Sequence, residues 1–502
     1  MKVPRIKVNL HVVFFCGLFG ILLLLAGFLI GFNLLPYYVN NKILDTKVLK
    51  ENTEQWNVFV KVPFSFEFKV FLFVVKNPEE VLQGAKPVVK ERGPYVYRLS
   101  RWKDQISWNY TTDEISYYEY EKYEFDQVAS GNLTEDDNVL VLNAPYLSFL
   151  YTAESNEETS SFLPMIEEAL PFIFADNNSP FLTNVTVKQF LFDGVKLCPN
   201  GCTEDGFVAS MVCSKIKEKL KTTKQMRMQG NDILYATFYY RNMSHQEYFT
   251  VNSGRRDKQA IGEVTQLDGA KYLKSWTSQN CNRVQGLTSV FPTKCSPETK
   301  FQSFSADICR TVKFEFSRSE NMGKIKTYRY KALNSSFNST NENSCYCTQK
   351  TLNFHGQSGC LYDGILDLST CQGAPVMVSF PHLLHTDLRY GQSVTGLQPN
   401  ETIHEMFVNL EPITGTPLKL AKRVQFNLFL RPVNNITVLQ NAPEALVPLF
   451  WIEETVTLPL KYQDFLEREL HRSLLIVNAI RYSIIGVALA IICCCIFIFL
   501  WL

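Results

Sequence analysis

The sequence has almost no net charge: 50 Lys and Arg against 49 Asp and Glu leave +1 at pH 7. A surface so balanced sets up no field that would collect nucleic acid or acidic lipid. There is no Gly-x-Ser-x-Gly elbow, no His-Glu-x-x-His helix and no phosphate loop, the motifs through which hydrolases, zinc proteases and nucleotide-binding proteins announce their chemistry. Linkers rich in Pro, Gly or Ser, internal repeats and low-complexity runs are missing too, which favours one large domain over several tethered ones. Two stretches lack charge altogether, Val12 to Phe32 and Tyr482 to Leu502.

A helix of ~20 apolar residues crosses the ~30 Å hydrocarbon core of a bilayer. The first run is long for the apolar part of a signal peptide, and no small-x-small site precedes Asn40-Asn41-Lys42, so an uncleaved anchor is expected. Lys2, Arg5 and Lys7 precede it with no acidic residue among them, which keeps that end cytoplasmic. The expected organisation is a cytoplasmic tail over 1–11, a membrane helix over 12–32, an extracellular or lumenal domain over 33–478 and a second membrane helix over 482–502. Both termini then face the cytoplasm, at the plasma membrane or, alternatively, at a lysosomal or endosomal one. A two-span ligand-gated channel shares this outline, but a pore needs polar residues along its helices and these runs offer almost none. Gly17, Gly20 and Gly27 suit helix packing instead. Cys493, Cys494 and Cys495 read as apolar helix residues, because acylated cysteines are usually juxtamembrane.

The segment between the runs carries every Asn-x-Ser/Thr acceptor in the chain: Asn109, Asn132, Asn177, Asn184, Asn242, Asn334, Asn338, Asn400 and Asn435. Asn177 is the weakest, being followed by Ser179-Pro180. Of 14 cysteines, ten lie in the same segment, and outside the cytosol an even number reads as a disulfide set. For the same reason Cys345-Tyr346-Cys347 reads as bridged cysteines, not a zinc knuckle. His382-Leu383-Leu384-His385 lacks the further ligands a metal needs, so neither a metal nor a cofactor is expected.

Strand patterns dominate. Phe64, Phe66, Phe68, Val70, Leu72 and Val74 alternate with their neighbours, as do Val424, Phe426, Leu428 and Leu430. Asp232 to Tyr240 and Met406 to Leu410 also read as strands. Helix spacing concentrates between about 160 and 220. Phe162, Met165, Ile166, Ala169 and Leu170 share a face opposite Glu167 and Glu168. Val185 to Phe192 and Ala209 to Leu220 read as further short helices, and Tyr462 to Leu475 leads helically into the second apolar run. The expected fold class is β-rich α+β, with a strand core under a helical cap.

Several strings resemble the class B scavenger receptor family, which includes the fatty-acid translocase and the lysosomal integral membrane protein. They are Lys76-Asn77-Pro78-Glu79-Glu80-Val81, Glu91-Arg92-Gly93-Pro94-Tyr95-Val96-Tyr97-Arg98, Ser305-Ala306-Asp307-Ile308-Cys309-Arg310, Gly396-Leu397-Gln398-Pro399-Asn400, Glu411-Pro412-Ile413-Thr414-Gly415, Ala421-Lys422-Arg423-Val424-Gln425 and Val447-Pro448-Leu449-Phe450-Trp451. Phe125-Asp126-Gln127-Val128-Ala129-Ser130-Gly131 and Leu191-Phe192-Asp193-Gly194 are similar to the insect sensory neuron membrane branch, and Cys371-Gln372-Gly373-Ala374-Pro375 to its second subtype.

The resemblance implies an antiparallel β-barrel-like core, an apical helical bundle and a lipid tunnel. It implies the pairs Cys281–Cys345, Cys309–Cys371 and Cys347–Cys360. That leaves Cys198, Cys202, Cys213 and Cys295 as extras, with Cys213 expected to pair with Cys198 or Cys202. For the sensory branch it implies binding of long-chain lipids or lipid-like odorants and their delivery to the membrane or to an odorant-receptor channel. For the scavenger branch it implies uptake of fatty acids, lipids or lipoproteins. Neither is an enzyme. Scavenger members often carry a lysine-rich apex; Asp176-Asn177-Asn178-Ser179-Pro180 stands there without lysine, which argues against polyanion scavenging, although Lys215 to Lys224 lie near. The family continues past the second span into a cytoplasmic tail, so an unusual or incomplete C-terminus is expected. Phe162, Ile166, Phe172 and Phe174, apolar residues of the cap, are the candidate ligand entrance.

Overall fold

The computed structural model describes residues 10–203, 205–221, 223–357 and 359–501. Lys2, Arg5 and Lys7, on which the orientation rests, lie outside the described residues. Two compact units emerge, one holding the two chain ends and the other residues 49–320 and 326–457.

In the first unit, helix α1 (Leu10–Lys47) packs along helix α5 (Leu460–Trp501). Both are longer than the apolar runs. Hydrogen-bond ladders continue past the point where apolar sequence stops, so the second run and the helix before it form one rod. Glycines bring the helices together: a Cβ on Gly20 would lie 2.8 Å from Ile492, and one on Gly27 2.9 Å from Ile484. Close backbone approach through small residues is how helices pack where no hydrophobic effect drives them. Within α1 the segment Ile30–Leu34 widens to a π turn, with the Leu35 N–H bonded to the Ile30 carbonyl. The Gly31 carbonyl thereby loses its usual donor, and Arg481 Nε supplies one at 2.8 Å.

The second unit is built on a 13-stranded sheet. Its long path uses β1 (Phe66–Val75), β2 (Val89–Asn109), β3 (Glu114–Phe125), β4 (His245–Asn252), β5 (Val264–Leu267), β6 (Phe301–Ser305), β7 (Arg310–Met322), β8 (Ile325–Ala332), β9 (Phe407–Leu410), β10 (Pro417–Leu430) and β11 (Ala445–Thr457). The spatial order is β5-β4-β3-β2-β1-β11-β10-β9-β8-β7-β6, so the first and last strands meet in the middle. The two outer strands are stitched together by one segment. Val264 N–H donates to the Gly286 carbonyl (2.8 Å), Leu287 N–H to the Gln302 carbonyl (2.8 Å) and Phe304 N–H to the Leu287 carbonyl (2.9 Å). The sheet is a nearly closed antiparallel barrel, a form that removes exposed edges.

The cap consists of α2 (Ala144–Ser155), α3 (Leu163–Phe174) and α4 (Phe207–Lys219). Asn143 starts α2: its Oδ1 accepts from Tyr146 N–H (3.3 Å), and its amide donates to the carbonyls of Asn177 and Ser179. One continuous core joins Leu72, Leu428 and Phe450 of the barrel to Leu147, Leu170 and Ala209 of the cap.

Three sequence expectations need correction. The β1 alternation changes phase, with Leu72 and Phe73 both buried, because the register with β2 slips between Val70 and Leu72. The strand expected over Asp232–Tyr240 stops at Tyr235; beyond it Thr237 and Phe238 donate their N–H groups to the carbonyls of Phe190 and Leu191. Val185 and Thr186, read as helix, end the strand Phe181–Thr186, and the helical turn follows.

The structure bridges Cys281 to Cys345, Cys309 to Cys371 and Cys347 to Cys360. The Cys309–Cys371 bridge spans 62 residues. By chain entropy such a loop contributes about 4 kcal/mol. Cys309→Ala is therefore expected to leave most of the protein retained inside the cell and poorly folded. Surface biotinylation checks this; wild-type surface levels would show the bridge to be dispensable.

Candidate ligand cavity

A cavity of about 210 Å³ lies between the cap and one wall of the barrel. The cap contributes Ser148 and Phe149 from α2, Phe174 from α3, and Ile216 and Lys219 from α4. The barrel contributes Val424 and Phe426 from β10, and Leu449, Phe450 and Ile452 from β11. Period 2 along a strand places Lys422, Val424 and Phe426 on one face, and the register pairs Val424 with Ile452 and Phe426 with Phe450. The Phe426 and Phe450 rings stack at 4.9 Å, and Phe238 meets Phe450 edge-on at 5.8 Å. Phe174 closes the cap side against Tyr146 (4.9 Å).

One part of the wall is ionic. Arg241, Asp307 and Lys422 line the cavity. Lys422 Nζ lies 2.6 Å from one Asp307 oxygen and Arg241 3.2 Å from the other. Arg241 also forks onto both oxygens of Glu121 (2.9 and 3.1 Å). Behind it Arg101, opposite Glu121 in the β2–β3 register, reaches Glu121 at 2.5 Å and Glu454 at 2.9 Å. Glu121 is 1% exposed. Burial pushes its carboxyl up, but the guanidinium groups of Arg241 and Arg101 outweigh this and hold it at about 2. Burial acts the same way on Asp307, and Arg241 and Lys422 again prevail, holding it below the usual carboxylate range. The Gln225 side-chain oxygen, also on the wall, is buried with no donor among the described residues. The arrangement can accept an apolar chain along the phenylalanines and a polar group at the ionic end.

Of the four residues read as an entrance, only Phe174 lines the cavity. Phe162 and Phe172 are exposed on the cap surface, and Ile166 is buried within it. The helical face was legible, but the period of α3 does not say which end meets the barrel. The ionic wall was missed: Asp307 and Lys422 stand in the strings that carry the resemblance, yet 115 residues separate them.

His382 and His385 have different partners. His382 Nε2 donates to Glu91 (2.6 Å), its Nδ1 accepts from Gln398 N–H (3.1 Å), and its ring stacks on His404 at 4.4 Å, while His385 lies 3.7 Å from Glu401. Among the nine glycan acceptors, Asn109, Asn132, Asn184, Asn334, Asn400 and Asn435 are exposed, and Asn177, Asn242 and Asn338 are partly covered. Cys213 lies within bonding reach of both Cys198 and Cys202. Cys295 is a buried thiol that donates to the Pro292 carbonyl at 3.1 Å.

Residues 18–499 match the CD36 family. The chain is 30% identical to sensory neuron membrane protein 2 of Drosophila melanogaster, across 94% of this chain and 95% of that protein. It is 33% identical to sensory neuron membrane protein 2 of Heliothis virescens, across 90% and 86%. To sensory neuron membrane protein 1 of Manduca sexta it is 30% identical, across 92% and 86%.

Glu121 gives a test of the wall. Its folded-state pKa lies below the ordinary value of 4.5, so its contribution is full above pH 4.5 and is lost as pH falls towards about 2. Glu121→Gln leaves two buried guanidinium groups short of a partner, at a cost of roughly 3–5 kcal/mol at pH 7. The variant should melt lower at pH 7 and lose part of the acid-side slope in a Tm-against-pH series on detergent-solubilised protein. An unchanged slope would mean that Glu121 does not carry it.

Proposed function

The chain belongs to the CD36 family, and from that premise we propose that it is a receptor and transfer protein for long-chain lipids in chemosensory cells. It takes up lipid-like odorants or pheromones at the cap and passes them through the core to the outer leaflet or to a neighbouring odorant-receptor channel. The observation that carries this reading is the cavity: a wall of phenylalanine and aliphatic side chains ending in an ionic cluster suits a molecule with a long apolar tail and one polar group. The names of the relatives support a sensory setting. Proximity of both chain ends to one membrane suits a conduit that discharges there.

The topology that goes with this reading has residues 33–478 outside the cytoplasm. Glycosidase should lower the apparent mass by several glycans, and protease added to intact cells should remove the ectodomain alone. Full protection of the Asn242–Asn435 region, with no glycan shift, would overturn the two-span arrangement.

Ligand uptake has its own signature. Each buried methylene contributes about 0.8 kcal/mol, roughly fourfold in affinity. Full-length protein in nanodiscs should bind a series of fluorescent esters with affinity rising with chain length until the cavity is filled. Ser148→Trp should weaken binding at least tenfold with little change in Tm, because it fills the cap side without enlarging a core residue. In cells bearing an odorant receptor, the protein should quicken responses to lipid odorants and leave those to small soluble odorants unchanged. Binding without dependence on chain length, together with equal effects on both odorant classes, would replace this reading with an adhesion or assembly role. Strong uptake of lipoprotein would instead favour the scavenger reading.

A further inference from the structure

The cap holds three cysteines that lipid binding does not use. Cys198, Cys202 and Cys213 are 0%, 0% and 2% exposed, and their sulfurs all lie within 4.8 Å of one another. Cys213 is in the middle of α4. Its Cα is 5.6 Å from that of Cys198 and 6.3 Å from that of Cys202, and both separations suit a disulfide, which spans about 4.4–6.8 Å. A sulfur forms one disulfide, so three cysteines yield one bridge and one thiol, and here the thiol is held against the bridge.

The same turn ends helix α3. The last carbonyls of a helix find no donor within it. Here Cys198 N–H donates to the Ile173 carbonyl at 2.7 Å, and the Cys202 thiol to the Phe172 carbonyl at 3.5 Å. Phe174, two residues on, lines the cavity. Cys198, Asn200 and Cys202 all adopt positive φ, a costly backbone for non-glycine residues that persists only where the surroundings impose it.

We propose that these cysteines form a thiol–disulfide exchange site, in which Cys213 takes either Cys198 or Cys202 as its partner and the choice sets whether the Phe172 carbonyl near the end of α3 keeps its thiol donor. The exchange balances without an outside oxidant or reductant. The Cys202 thiolate attacks Cys213 Sγ; the Cys202–Cys213 bond forms and the Cys198–Cys213 bond breaks. The electron pair leaves on Cys198 Sγ, which takes up the proton that Cys202 gave up. With Cys198 bridged, Cys202 keeps its S–H and donates to Phe172. With Cys202 bridged that hydrogen is gone, and the Phe172 carbonyl beside the cavity wall loses its donor. Any effect on ligand uptake rests on the lipid-receptor reading; the exchange itself does not, and its test needs no ligand.

Full-length protein purified in detergent is quenched in acid, which freezes exchange, then denatured, alkylated with N-ethylmaleimide and mapped by peptic digestion at low pH. The expected result is one alkylated cap cysteine per molecule, with the label divided between Cys198 and Cys202 and both bridges to Cys213 recovered. Cys198→Ser and Cys202→Ser should each retain a single bridge. Amide hydrogen exchange at the end of α3 should be several-fold faster in Cys198→Ser than in Cys202→Ser, because serine at 202 keeps a donor for Phe172. Label confined to one cysteine overturns the proposal. So do three alkylatable cap thiols, with or without a co-purifying metal ion. The wild-type map decides the matter even where a variant fails to fold. A divided label alongside ester binding that ignores chain length would sink the lipid reading and leave the exchange standing.

Discussion

The ectodomain depends on closing a sheet whose outermost strands come from distant parts of the chain. β5 and β6 are joined through the stitch at Gly286 and Leu287, which makes backbone hydrogen bonds to both strands. Gly286 has φ +107°, and a Cβ there would lie 3.0 Å from the Gln302 carbonyl, so the close approach requires glycine. Without this seam both edge strands would expose unpaired N–H and C=O groups. With it, one face of the sheet turns inward and needs a cover, which the cap helices supply.

Closure also explains why charges are buried in the wall. β3 and β2 on one side of β1 and β11 and β10 on its other side bring Arg101, Glu121, Lys422 and Glu454 together, and the turns carrying Arg241 and Asp307 complete the set. Buried charges stand only when each is paired and hydrogen-bonded. Here each carboxylate of the set meets at least one cation, and Glu121 also accepts from the Tyr123 hydroxyl at 2.7 Å. The ionic end is therefore fixed in place, while Val424, Phe426, Leu449, Phe450 and Ile452 give the barrel side of the cavity an apolar stretch that makes no polar demand. In the proposed reading a ligand meets a preformed polar end and an apolar wall, which lowers the ordering cost of binding.

The cap is held less uniformly. α2 is anchored through Asn143 to the loop that follows α3, whereas the end of α3 depends on the Cys198–Cys202 turn. Both devices are local polar contacts made by residues outside the helices they support. Phe174, at the end of α3, is the residue through which that helix lines the cavity.

The sequence by itself determined what depends on local pattern. Uncharged runs identified the two long apolar helices and alternation located β1 and β10. The strings around Arg92-Gly93-Pro94 and Asp307-Ile308-Cys309 were specific enough to indicate the family and, through it, a barrel. Only the tertiary structure decided which residues face one another. The phase change in β1 comes from a register slip against β2, a pairing property that a single strand's pattern does not encode. Lys422 and Asp307, 115 residues apart, meet because strand order and turn positions bring them together. The cap helix was legible as an apolar face, yet Phe174 reaches the cavity and Phe162 does not, because the direction of approach to the barrel is set by packing. Periodicity reports that a side chain is buried; what it is buried against follows from long-range contacts, and the cavity is made of those.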